Sequence, residues 1–179
     1  MILYSNKIEP ILLVYLSQYP ISLSGSQMIQ PIEGGTSLIL PKNSFILNFD
    51  GCSKGNPGLS GAGAVMYNNN IEVWSGTSFV GVSATNNQAE YTGLIIGLQY
   101  AVENHIQDIL IQGDSQLVIN QMTGKYKCSA DKLIPLYKTA KTLETKIGNV
   151  QYKHILRNFN SRADHLSNVA VQKYTDGMS

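Results

Sequence analysis

Cysteine is nearly absent from this chain. Cys52 and Cys128 are the only two in 179 residues. They are too few for a disulfide framework, and neither sits in a metal-ligand spacing, so a reducing intracellular compartment is expected: the cytoplasm, with nucleus or organelle left open. Long apolar runs are missing as well. The most apolar stretch, residues 11–16, lies between Pro10 and Pro20 and falls far short of the ~20 residues of a membrane-spanning helix. No membrane association is expected. The first residues lack the charged start and cleavage pattern of a signal peptide. Residues 1–43 contain Lys7 and Lys42 but no arginine, which argues against a mitochondrial presequence. Charged residues are scarce, at 14%, and the net charge is only +1. The total therefore does not announce a strongly basic nucleic-acid binder.

The distribution of that charge says more. Residues 1–114 hold three lysines against eight acids, a balance of −5, whereas residues 115–179 hold ten Lys or Arg against four acids, a balance of +6. Such asymmetry sets a basic surface beside an acidic centre and suits a polyanion held near a metal site. Ordinary solvated helix faces account for part of the same lysines. The length and the apolar fraction of 43% fit one globular domain with a tail.

Residues 1–43 carry four prolines and the Gly34-Gly35 pair without a sustained period, and are expected to form a poorly ordered extension. The domain is expected over 44–175, with a tail at 176–179. Strands are expected at 44–50, 62–67 and 71–79, the last two joined by the Asn68-Asn69-Asn70 turn. The period then changes. Tyr91, Leu94, Ile95, Leu98, Ala101 and Val102 recur at three and four, one apolar face of a helix over 86–104 capped by Thr85 or Asn86. A strand at 108–113, a short helix at 115–122, a long helix capped by Asp131, a strand at 150–156 and a helix at 161–174 complete the order. An early antiparallel meander followed by parallel strands gives an α/β fold, a five-stranded mixed sheet with helices on both faces.

Four carboxylates fall in equivalent places in this order. Asp50 ends the first strand before a glycine-rich loop, and Asp114 ends the fourth. Glu90 and Asp164 sit near the starts of the first long helix and the last one. If the first and fourth strands are neighbours, all four acids converge at one rim of the sheet. Clustered carboxylates repel one another, and cations filling the gap relieve that cost. Hard divalent ions favour oxygen ligands, and a pair of them suits phosphodiester hydrolysis. For any single acid, a helix cap or a solvated surface position explains the residue equally well.

The blocks DGCSKGNPG at 50–58, TNNQAEYTGLIIGL at 85–98, GDSQLV at 113–118 and NSRADHLSN at 160–168 resemble the signature blocks of type 1 ribonuclease H, in that family's order. The resemblance implies the ribonuclease H-like fold and endonucleolytic hydrolysis of the RNA strand of an RNA–DNA hybrid, leaving 5′-phosphate and 3′-hydroxyl ends. It carries the catalytic, metal-binding role to Asp50, Glu90, Asp114 and Asp164, with two Mg²⁺ ions, or Mn²⁺, as cofactors. It also assigns Asn56, Asn86 and Gln116, with Asn87 beside them, to the minor groove of the hybrid, and Ser53 and Thr85 to the DNA strand. Short amides and hydroxyls suit that task, because they read 2′-hydroxyls and base edges without demanding a sequence. Turn or cap roles explain these polar residues as well. A monomer without an obligate protein partner is expected.

Two departures from the family pattern stand out. The histidine that many members carry on a loop before the last acid is missing. His154 lies within the expected last strand, and the loop offers Arg157 instead, as in a subset of the family. Arginine keeps its proton, with a pKa above ~12, and so serves as a phosphate-holding group rather than a base. The basic insertion between helices is also absent, leaving Gly124-Lys125-Tyr126-Lys127, where Tyr126 can stack on sugar between two lysines. A catalytically weak hybrid- or RNA-binding module, derived from a retroelement or polyprotein, is the alternative. A different nuclease or integrase on the same fold is a second one.

Overall fold

The computed structural model describes residues 45–177. The expected extension over 1–43 and the last two residues of the tail lie outside the described residues. The chain forms β1 (Phe45–Gly55), β2 (Gly58–Asn68), β3 (Ile71–Ala84), α1 (Asn86–Glu103), β4 (Asp108–Gly113), α2 (Gln116–Met122), α3 (Ile134–Glu144), β5 (Asn149–His154), a 3₁₀ turn at Arg157–Phe159 and α4 (Ser161–Asp176). The strand order is β3-β2-β1-β4-β5. The first three strands pair antiparallel, and β1–β4 and β4–β5 pair parallel. Asn69 and Asn70 turn the β2–β3 hairpin with φ of 51° and 66°, a conformation asparagine tolerates better than most residues. The parallel pairs need helical crossovers, which α1 and then α2 with α3 supply. Among the described residues, no helix is long and apolar enough to cross a membrane.

The first strand differs from expectation in an informative way. It does not end at Asp50. Pairing with β2 continues from Asp50↔Gly63 to Gly55↔Gly58, so the glycine-rich stretch is the second half of a long hairpin, with the turn confined to Asn56 and Pro57. On its other side β1 pairs with β4 only as far as Asn48↔Gln112. Asp50 is therefore held rigidly by β2 while standing just beyond the end of β4, where the rim opens. A further difference lies at α3, which begins at Ile134 with Leu133 as a cap that donates no side-chain bond. Asp131 stands upstream in a turn. Pro135 is tolerated in the first turn, where its missing N–H leaves no intrahelical bond unmade.

Alternation along β1 divides the two faces of the sheet. Leu47 and Phe49 join Leu94, Leu98, Ile111, Val118 and Ala140 in the main core, beneath α1, α2 and α3. Tyr91 lies in the same core, and its hydroxyl donates to Gln121 Oε1 at 2.7 Å, tying α1 to α2. Burying each such large side chain contributes about 1.5–3 kcal/mol. On the opposite face Val65 packs with Ala163 and Leu166 of α4, and Phe79 stacks on Tyr174 with ring centroids 3.7 Å apart. Asn48 and Asp50 point to this second face. Two glycines set how closely the helices approach. A Cβ on Gly51 would lie 2.1 Å from the Glu90 backbone nitrogen, and one on Gly63 would lie 2.5 Å from that of Ser167. The helices that carry the site therefore rest directly on the backbone of the strands.

Candidate active site

Each acid of the rim is fixed by its own local structure. Thr85 caps α1 through a capping box: its hydroxyl accepts from the Gln88 N–H at 3.3 Å, and Gln88 Oε1 accepts from the Thr85 N–H at 3.0 Å. That box sets the first turn and delivers Glu90 against Gly51. Asp114 follows β4 directly, and Ser115 caps α2 behind it. Asp50 reaches from the centre of β1. The result is a cluster in which one carboxylate oxygen each from Asp50, Glu90 and Asp114 lie within 4.8 Å of one another.

The surroundings hold these acids in place. Ser167 of α4 donates to Asp50 Oδ2 at 2.6 Å. Asn160, at 1% exposure, donates to Asp114 Oδ1 at 2.7 Å and to the Phe49 carbonyl at 2.8 Å. Asn48 in turn donates to Asn160 Oδ1 at 3.3 Å. Burial pushes the Asp50 carboxyl up to about 6, helped by the charges of Asp114 and Asp164 and opposed by the Ser167 hydrogen bond and by Arg157. Glu90 is raised well above the usual carboxylate range, first by burial and then by Asp50 and Asp114. Its Oε2 is buried without a hydrogen-bond partner among the described residues. An orphaned carboxylate oxygen beside two further carboxylates is costly in a bare protein and suits a hard cation, which prefers oxygen ligands. The residues present fit a divalent metal.

Asp164, the fourth expected acid, stands in the first turn of α4 but outside this trio. Its Oδ1 accepts from Arg157 Nη2 at 2.5 Å. Asp50, Glu90, Asp114 and Arg157 share the walls of a cleft of about 370 Å³ with Ser53, Lys54, Asn86 and Asn168. His154 is exposed at the end of β5, with Nε2 3.1 Å from the Asp114 carbonyl oxygen.

Of the other expected contact residues, Ser53 and Asn86 line this cleft, and Asn56, Thr85 and Asn87 line another. Asn56 Oδ1 accepts from the Asn86 N–H at 3.1 Å, joining the hairpin tip to the start of α1. The Asn86 side chain is 3.5 Å from Glu90 Oε1. Ser53 turns its hydroxyl to the carbonyls of Gly55 and Ala84 and accepts from Ser60, an inward role in bracing the hairpin. Asn56, Thr85 and Asn87 line a second cleft of about 450 Å³ with Asp131 and Lys132. Gln116 is exposed at the start of α2, two residues past Asp114. Tyr126 is 51% exposed, and Lys125 and Lys127 beside it are exposed. The connection 123–133 contains no additional helix.

Sequence reasoning did not single out Asn48, Asn160, Ser167 or Asn168. Their only visible signal is polarity where burial is expected: an asparagine two residues before Asp50, and a serine one helical turn after Asp164 in the NSRADHLSN block.

A five-stranded sheet in this order, with a carboxylate cluster where β1 and β4 part, defines a ribonuclease H-like protein. A family described as reverse transcriptase-like matches residues 48–170. The bifunctional protein Rv2228c of Mycobacterium tuberculosis is 37% identical over 127 residues, 70% of this chain and 35% of that protein. Ribonuclease H of Francisella philomiragia is 32% identical over 149 residues, which cover 75% of this chain and 95% of the relative. Among solved structures, the N-terminal RNase H domain of Rv2228c superposes with a TM-score of 0.72 at 34% identity, covering 77% of this chain and 100% of that one. LC11-RNase H1 in complex with an RNA/DNA hybrid gives 0.69 at 28% identity, with 73% and 99% covered. The chain belongs to the ribonuclease H family. It spans about a third of the length of the mycobacterial relative, 35%.

Proposed function

We propose that this protein is an endonuclease that hydrolyses the RNA strand of RNA–DNA hybrids, leaving 5′-phosphate and 3′-hydroxyl ends. The observation that carries the reading is the Asp50–Glu90–Asp114 cluster, with its buried, unpartnered Glu90 oxygen. Asp50, Glu90 and Asp114 would hold two Mg²⁺ or Mn²⁺ ions, and Asp164 would be the fourth acid of the set. Bound at this site, such ions supply Lewis-acid activation of water and neutralise charge that develops on the phosphate. Ser167 and Asn160 keep the Asp50 and Asp114 carboxylates turned into the cleft throughout. Asn56, Asn86, Asn87 and Gln116 line up along the rim to meet the minor groove, where amides reach 2′-hydroxyls. Ser53 and Thr85 lie on the DNA side, and Tyr126 stacks on a sugar at the far end. LC11-RNase H1, a structural neighbour solved with an RNA/DNA hybrid, supports the choice of substrate. The protein acts as a monomer.

Matched RNA–DNA, RNA–RNA and DNA–DNA duplexes, incubated with Mg²⁺ and then with chelator, test the reading. Cleavage of the hybrid's RNA strand alone, abolished by chelator and by Asp50→Asn or Asp114→Asn, is the expected result. Binding of the hybrid without cleavage under every divalent ion overturns it in favour of a binding module. The engagement of Asp164 with Arg157 is the observation that favours that second reading.

A further inference from the structure

We propose that Lys54 is a phosphate-holding residue for the RNA strand, gripping a phosphate next to the one that is cut. The inference rests on the proposed hybrid substrate. Asp50, Cys52 and Lys54 share one face of β1, since successive side chains alternate, and Lys54 lines the same cleft as Asp50, Glu90 and Asp114. Its position four residues past Asp50 puts the two Cα atoms about 13 Å apart along the strand. That spacing suits a neighbouring phosphate rather than the one at the carboxylates.

The cleft has two cationic side chains in its walls, Lys54 and Arg157, and they are committed differently. Arg157 is paired with Asp164. Lys54 Nζ donates to the amide oxygen of Asn168 at 2.6 Å, and among the described residues it makes no ion pair. Asn168 is itself fixed by its Nδ2 donating to the Asp164 carbonyl at 2.8 Å. A neutral amide thus orients the ammonium without neutralising it, and two N–H groups stay available for an anion. A positive charge held in place over an acidic cleft suits a polyanion that must approach repelling carboxylates.

The competing explanation is that Lys54 simply pins the β1–β2 hairpin to α4. Lys54→Ala and Lys54→Arg separate the two. Equilibrium binding of an RNA–DNA hybrid is measured across a salt series, with Ca²⁺ replacing Mg²⁺ to prevent cutting, and melting temperature is measured in parallel. The alanine variant is expected to bind about ten-fold more weakly near 0.1 M salt, with a log–log salt slope smaller by about one. Arginine restores the slope, and melting temperatures stay close to wild type. An unchanged slope in Lys54→Ala overturns the inference, and a lowered melting temperature with that unchanged slope identifies the pin. A wild-type protein that binds the hybrid but never cuts it removes the proposed activity and leaves the slope test standing. A wild-type protein that does not bind the hybrid overturns both.

Discussion

Arg157 Nη2 donates to Asp164 Oδ1 at 2.5 Å, so the fourth acid of the family pattern is paired with an arginine while the other three cluster together. The arginine side chain is 75% exposed, so the pair contributes at most about 1 kcal/mol. A cation that recruits Asp164 competes with Arg157 for the charge of this carboxylate. Arg157→Ala is therefore expected to lower the Mg²⁺ concentration for half-maximal thermal stabilisation by up to about five-fold. Asp164→Asn is expected to weaken the same stabilisation. An arginine variant with an unchanged Mg²⁺ midpoint rules out competition between arginine and metal for Asp164.

The buried Asp50 predicts a pH dependence of stability in the absence of metal. A carboxyl raised from 3.8 to about 6 holds its proton more tightly in the folded state than in the unfolded one. The folded protein therefore loses relative stability as pH rises from about 4 to about 6, and the full cost, on the order of 3 kcal/mol, is present above that window. Asp50→Asn escapes the cost. In chelator, denaturant unfolding is expected to find this variant more stable than wild type at pH 7 and nearly equal to it at pH 4. Adding Mg²⁺ at pH 7 is expected to stabilise only the wild type appreciably, since a cation favours the ionised acid. A pH-independent difference between the two proteins contradicts this account.

The sequence made the order of elements and the three-acid rim legible because both rest on local patterns. Tyr91, Leu94 and Leu98 mark their helix by spacing alone, and Asp114 follows an apolar strand at once. The length of the first hairpin was not legible. Gly51 and Gly55 look like loop residues until the pairing of Asp50 with Gly63 is known, and strand register is a property of two segments. The supports of the site were hidden for the same reason. Asn160 meets Phe49 and Ser167 meets Asp50 across more than a hundred residues of chain, so no short window contains both partners. The pairing of Asp164 with Arg157 depends on the direction of two side chains at the start of α4, which spacing alone does not fix.

Asn160 offers a test of positioning without metal contact. It holds Asp114, the Phe49 carbonyl and Asn48 together inside the protein. Asn160→Ala leaves Asn48 Nδ2 and the Phe49 carbonyl short of a partner, at about 1–3 kcal/mol for a buried unsatisfied group. The expected outcome is reduced stability in urea together with a lower kcat on hybrid at saturating Mg²⁺ and a nearly unchanged KM. Loss of stability with wild-type kcat in the fraction that remains folded limits Asn160 to a structural role.

Thr85 combines a helix cap with the proposed substrate contact, and the two roles separate by substitution. Its hydroxyl accepts from the Gln88 N–H, and Gln88 answers through the Thr85 N–H. Thr85→Ser preserves the cap oxygen and is expected to change neither stability nor hybrid binding by much. Thr85→Val removes the oxygen while keeping the shape, and should cost about 1 kcal/mol of stability. Because the cap fixes the turn that presents Asn86 and Glu90, that variant is also expected to lower hybrid affinity. Asn87 is the control. It is exposed on the same cleft, and among the described residues its side chain has no hydrogen-bond partner. Asn87→Ala is therefore expected to leave the melting temperature within a degree or so of wild type while weakening hybrid binding several-fold. If Thr85→Val weakens binding and Asn87→Ala does not, Thr85 acts through the helix it caps and the second cleft does not receive the nucleic acid.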